Sequence, residues 1–199
     1  MAGFEVGYFV GSLATKSINR LLAKALVRVA PQGLQLTEIP FKDLPLYSHD
    51  YDENYPPVAT AFKDAIAAVD AVLFVTPEYN RSIPGGLKNA IDWASRPYGK
   101  NAFTRKPSAV IGTSPGKIGT AVAQQHLRSI LAFCNSPLMN AIEAYIQFED
   151  GMISEDGEVS DDPTRKFLQN YMAEFHGFIT RVYTALPRTS GVMRADTSS

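Results

Sequence analysis

One cysteine, Cys134, stands among 199 residues, which excludes an internal disulfide framework and suits a reducing compartment. No apolar run approaches the roughly 20 residues of a membrane-spanning helix. The first residues lead into strand-like sequence rather than a basic-then-apolar leader. Together these point to the cytoplasm and away from membranes. Charge of one sign is missing as well. Nineteen Lys and Arg against 20 Asp and Glu leave a net charge of −1, no footprint for nucleic acid or an anionic surface. His49, His126 and His176 are scattered and build no Ser/His/Asp or Cys/His constellation; surface or packing roles suit His126 and His176. Neither G-x-G-x-x-G nor G-x-x-x-x-G-K-[ST] occurs, so the usual dinucleotide and ATP loops are absent. The acidic run Asp156, Glu158, Asp161 and Asp162 lacks EF-hand spacing and reads as a solvated loop with a helix cap. No catalytic side chain and no metal site are assigned.

What is present is alternation. Hydrophobic residues make up 45% and charged residues 20% of the chain, ordinary for a globular domain. A chain of this size buries roughly 70% of the surface its unfolded form exposes. Phe4–Val10 reads as a buried parallel strand ending in Gly11. Ser17 to Ala30 carries Ile18, Leu21, Leu22, Ala25, Leu26 and Val29 on one helical face. Further strands are expected at Leu34–Ile39, Ala71–Val75, Ser108–Gly112 and Pro137–Met139, and further helices at Val58–Val69, Gly85–Ala94, Gly119–Phe133 and Asp162–Leu186. Strand–helix alternation implies a parallel sheet covered on both faces. Five strands favour the order 2-1-3-4-5, the flavodoxin-like arrangement with its switch point between strands 1 and 3. Residues 1–186 form one domain in this reading, and 187–199 a flexible tail. The proline- and tyrosine-rich stretch from Pro40 to Pro57 is long enough to be functional or partner-binding.

Two loops stand out because each follows a strong apolar strand. Gly11-Ser12-Leu13-Ala14-Thr15-Lys16-Ser17-Ile18-Asn19 offers hydroxyls, an amide and a lysine at the start of a helix. Unpaired N–H groups at that first turn suit an anion, though Ser17 or Thr15 could equally be a plain helix cap. Pro77-Glu78-Tyr79-Asn80-Arg81-Ser82-Ile83-Pro84 is a stiff loop beyond the most apolar strand. It suits a flat ring, or else is a rigid turn with a core tyrosine. If strands 1 and 3 are neighbours, one ligand with a phosphate tail and an aromatic head fills both loops. FMN has that form, and flavodoxin, which has this strand order, holds FMN at the same switch point.

The run from Pro77 through Gly85-Gly86-Leu87-Lys88-Asn89-Ala90-Ile91-Asp92-Trp93 resembles the signature of NAD(P)H-dependent FMN reductases. That family includes chromate/quinone reductases and related azoreductases. Gly11-Ser12-Leu13 with Ser17 and Asn19 resembles its phosphate loop. Thr113-Ser114-Pro115-Gly116, with Gly119 and Gln124 to Leu127, resembles its third ligand-side segment. The resemblance implies that Ser12, Ser17 and Asn19 hold the FMN phosphate, that Pro77, Glu78, Tyr79 and Asn80 line its ring, and that Ser114 and Gly116 close the other side; Gly11, Leu13, Lys16, Ile18, Ser82 and Pro115 complete the candidate cofactor set. It implies alternating oxidation and reduction: NADPH or NADH delivers hydride, and a quinone, azo dye, flavin or metal oxyanion removes it. It also implies a homodimer or homotetramer, with the helix from Lys88 to Trp93 at the interface unless Ile91 and Trp93 are core residues. Arg81 and Arg105 are the candidate contacts for the donor's ribose phosphate. Ala14, Thr120 and Val122 depart from the family pattern, which often has arginine, glycine and arginine there. A flavodoxin-like electron carrier is the alternative, against which the near-neutral charge counts; a flavin-binding stress or regulatory protein is another.

Overall fold

The computed structural model describes residues 3–187; the tail expected beyond Pro187 lies outside the described residues. The strands are β1 (Phe4–Val10), β2 (Leu34–Glu38), β3 (Ala71–Val75), β4 (Ser108–Ser114) and β5 (Tyr145–Gln147). All pair in parallel, in the order β2-β1-β3-β4-β5. The helices are α1 (Ile18–Val29), α2 (Pro57–Ala67), α3 (Gly85–Ser95), α4 (Ala121–Phe133) and α5 (Asp162–Ala185).

Side-chain alternation along the inner strands sorts two cores, as a pleated sheet buried on both faces requires. Val6, Val10, Leu73, Val75, Ala109 and Ile111 pack with α1 and α5. Phe9, Val72, Phe74 and Val110 pack with α2, α3 and α4. The result is the flavodoxin-like three-layer sandwich. Helix boundaries follow local chemistry. Ser17 caps α1 by accepting from Arg20 N, and Asp161 caps α5 by accepting from Thr164 N at 2.8 Å, so part of the acidic run is a helix start.

The fifth strand is displaced from its expected place. Pro137–Met139 touches β4 only through a single bridge, Ser108 to Leu138. Regular pairing is made instead by Tyr145–Gln147 against Gly112, Thr113 and Ser114. Proline lacks the N–H that a ladder needs, and a three-residue edge strand is too short for periodicity to reveal.

Trp93 is fully buried, ringed by Tyr47, Tyr51 and Tyr55 at centroid distances of 5.0–5.4 Å. Its Nε1 donates to Pro45 O at 2.7 Å. Asn89 Oδ1 accepts from Tyr47 N, and Asn89 Nδ2 donates to Pro45 O. The long Pro40–Pro57 stretch is therefore docked on α3. Trp93 and Ile91 are core residues of this chain.

Candidate active site

In a parallel sheet every loop after a strand emerges at the same edge. Because β1, β3 and β4 are neighbours, the loops that follow them form one crevice, at the switch point of the strand order. Close backbone contact welds them together. A Cβ on Gly11 would lie 3.0 Å from Thr76 Oγ1 and 3.1 Å from Pro77 Cδ. A Cβ on Gly112 would lie 2.1 Å from Thr76 O and 2.4 Å from Thr120 Oγ1. Gly112 is where only glycine fits, while at Gly11 a side chain would force its neighbours to give.

The loop after β1 leaves most of its backbone donors open at the start of α1. Ser12 and Ser17 are buried, whereas Leu13, Ala14, Thr15 and Lys16 are exposed. Ser12 Oγ accepts from Ala14 N at 3.3 Å, which folds the loop back on itself. The N–H groups of Leu13, Thr15, Lys16, Ser17, Ile18 and Asn19 donate to no acceptor among the described residues. These donors gather at the positive end of α1. Asn19 has a different place. Its side chain is buried, donating to Thr113 O at 2.9 Å and accepting from Thr113 N at 3.0 Å. That clamp ties the first turn of α1 to the end of β4.

The loop after β3 has its polar side chains engaged internally. Asn80 and Arg81 both have positive φ, 51° and 63°, between the paired Tyr79 and Ser82. This is the type I′ hairpin pattern made without glycine. The Glu78 side chain is only 9% exposed. One of its oxygens accepts from Val122 N and Ala123 N at 3.0 and 3.1 Å, and the other accepts from Arg81 Nη1 at 3.1 Å. Thr120, in the left-handed region at φ 68°, gives α4 no side-chain cap; Glu78 does so from another loop. Tyr79 is 48% exposed, and the N–H groups of Asn80 and Arg81 have no acceptor among the described residues. Those N–H groups and the Tyr79 ring are what this loop leaves free to meet a flat ligand.

The loop after β4 supplies the remaining wall. Ser114 Oγ donates to Gly116 O at 3.0 Å, and Pro115, Gly116, Lys117 and Ile118 are exposed. With Lys16 and Arg81, Lys117 gives each of the three loops one exposed cation. Arg105, expected as a contact for the donor's ribose phosphate, is not here. It precedes β4 and its N–H donates to Asn135 O, which places it at the opposite edge of the sheet. Cys134 is buried, and burial pushes its thiol above the ordinary range. His126 is exposed, as its reading as a surface residue expects, and it also reaches the ring loop: its Nδ1 lies 3.1 Å from Ser82 Oγ. Nothing in the sequence signals that contact, because it depends on how α4 lies beside the loop.

A flavodoxin-like sheet with open N–H donors on adjoining loops at its switch point suits an FMN-binding class of protein. The chain belongs to the NADPH-dependent FMN reductase family, which it matches over residues 4–151. It is 47% identical over 175 residues to a 2-hydroxy-1,4-benzoquinone reductase of a Burkholderia species, covering 88% of this chain and 96% of that one. A quinone reductase of Pseudomonas putida is 45% identical over 177 residues, covering 88% and 95%. Among solved structures, the flavoenzyme NAD(P)H:(acceptor) oxidoreductase FerB of Paracoccus denitrificans is 45% identical. It superposes with a TM-score of 0.86 over 89% of this chain and 98% of FerB. The chain is thus an oxidoreductase of the FMN- and NAD(P)H-using kind.

Proposed function

We propose that this protein is an NAD(P)H:quinone oxidoreductase whose site is the crevice of the three loops. The observation that carries the site assignment is the row of unpartnered N–H groups at the first turn of α1, beside the free N–H groups of Asn80 and Arg81. The first row fits a dianionic phosphate; the second fits the polar edge of an isoalloxazine. When bound, FMN supplies the relay of hydride between nicotinamide and acceptor. Ser12 and Ser17, with the backbone from Leu13 to Asn19, hold the phosphate. Lys16 adds a screened charge in the place where the family's arginine is replaced by Ala14. Asn19 seats the cradle through its clamp on Thr113. Pro77 and Pro84 keep the ring loop stiff, which lowers the ordering cost of binding. The Asn80 and Arg81 N–H groups stabilise negative charge that develops on the ring edge, while Tyr79, Ser114, Pro115 and Gly116 wall the ring. The mouth is open and its one-per-loop cations favour anionic donors. Loose selectivity among flat acceptors follows. The quinone assignment draws on the names of the 47% and 45% identical relatives.

The proposal includes a homodimer or homotetramer in the cytoplasm. Its docking face is the groove between α3 and α4, about 340 Å³, lined by Lys88, Ile91, Asp92, Ser95, Ser129, Ile130, Phe133 and Cys134. Phe133 stands 92% exposed at its rim, and sedimentation velocity of wild type against Phe133→Ser reads that face directly.

The test of activity is anaerobic. Protein loaded with FMN and desalted is mixed with NADPH or NADH, then with 2-hydroxy-1,4-benzoquinone. Retained flavin bands that bleach and then return on adding the quinone are expected. Bands that neither nucleotide bleaches would make the protein an electron carrier, and failure to retain FMN would overturn the site.

A further inference from the structure

The ring loop is fastened to α4 at two points, one on each side of its turn. Before the turn, Glu78 holds the Val122 and Ala123 N–H groups. After it, Ser82 Oγ meets His126 Nδ1. One fastening takes the open N–H groups at the start of α4, and the other a side chain about one helical turn further along it. The turn between them needs holding. Two successive non-glycine residues in the left-handed region are each disfavoured by contact of Cβ with the following carbonyl oxygen. Such conformations persist where their surroundings over-determine them. The Tyr79–Ser82 pair consists of two backbone hydrogen bonds, and an isolated hairpin that short is marginal in water.

We infer that His126 is a positioning residue for electron transfer. Its contact with Ser82 fixes the downstream end of the turn, and thereby the aim of the Asn80 and Arg81 N–H groups into the crevice. This rests on the reading that these N–H groups meet the flavin ring. The contact serves in both charge states of the imidazole. With Nδ1 unprotonated the Ser82 hydroxyl donates to it; with Nδ1 protonated the ring donates to Ser82 Oγ. The role is geometric, and no proton is transferred. His126 is exposed on the helix surface, so its replacement leaves the core of α4, formed by Ala123, Leu127 and Leu131, as it was.

The test is a double-mutant cycle on the FMN-loaded enzyme with His126→Ala, Ser82→Ala and both together. FMN dissociation, flavin midpoint potential and the rate of bleaching by NADPH are measured below the melting transition. Each single variant is expected to weaken FMN binding about three- to tenfold, the scale of one net hydrogen bond, and to shift the potential. The double variant should be no worse than the singles, because both remove the same contact. His126→Asn should restore wild-type values, since its amide nitrogen is as many bonds from Cα as Nδ1. His126→Gln should not. Multiplicative effects in the double variant, or an Asn variant no better than Ala, would overturn the inference. If wild type itself fails to retain FMN, the functional reading fails first; if wild type turns over normally and the cycle is additive, only this inference fails.

Discussion

The loop after β1 and the loop after β3 sit side by side at one sheet edge, yet they use their polar groups in opposite ways. In the first, most backbone N–H groups from Leu13 to Asn19 are left without an acceptor, and the Asn19 side chain is clamped inward on Thr113. In the second, Glu78 and Ser82 are held by α4, while the N–H groups of Asn80 and Arg81 alone are left free at the turn. In the proposed site the two loops solve different problems. A phosphate is small and highly charged, and the start of a helix supplies aligned donors without strain. A planar ring needs a few donors at a fixed height and angle, which here requires a strained turn and side chains to brace it. The same residue types therefore mean contact in one loop and scaffold in the other.

The largest effect that breaks this comparison comes from the shared seam. Gly112→Ala places a methyl 2.1 Å from Thr76 O, pushing the β3 and β4 loops apart. Overpacking of that kind costs about 3 kcal/mol or more, which lowers the melting temperature on the order of 10 °C. FMN binding should be lost with it; a melting temperature within a few degrees of wild type, with flavin retained, would show that the seam yields.

Glu78→Ala comes next and separates scaffold from contact. It strips the acceptor from the Val122 and Ala123 N–H groups, at about 1–3 kcal/mol. Melts of both apo- and FMN-loaded protein should fall, because the brace exists in both, and the loaded protein somewhat further, because the loosened ring loop also binds FMN more weakly. Glu78→Gln keeps one acceptor oxygen and should fall less. A loss seen only in the loaded protein would make Glu78 a flavin contact instead.

Ser17→Ala is the counterpart in the first loop. The lost cap lowers apo-protein stability by about 1 kcal/mol. FMN affinity should fall about tenfold, as for a hydrogen bond to a charged group, so the melt of the loaded protein drops further than that of the apo-protein. Lys16→Gln sets the bottom of the scale. An exposed lysine contributes little, so a change under about threefold that vanishes in high salt is expected. A larger, salt-independent loss would make Lys16 the replacement for the missing arginine.

Much of this site was legible in the order of residues because it lies on consecutive segments. Apolar runs followed by Gly11 and Pro77 mark where strands end, and Ser17 marks where α1 begins. The strand at Tyr145–Gln147 was not legible, since three half-exposed residues carry no period. Nor was the anchoring of Pro40–Pro57, which depends on Trp93 receiving three tyrosines from a distant segment.

The sequence by itself determined the strand–helix alternation, where the loops after β1 and β3 begin, and the family. These are local signals: periodicity, a cap, and a contiguous motif from Pro77 to Trp93. Only the tertiary structure decided what each polar side chain does. Asn19 and Thr113 are 94 residues apart, Glu78 and Val122 are 44 apart, and so are Ser82 and His126. A hydrogen bond reaches about 3 Å and is strongly directional, so its partner is set by where the folded sheet brings the loops, not by any spacing along the chain.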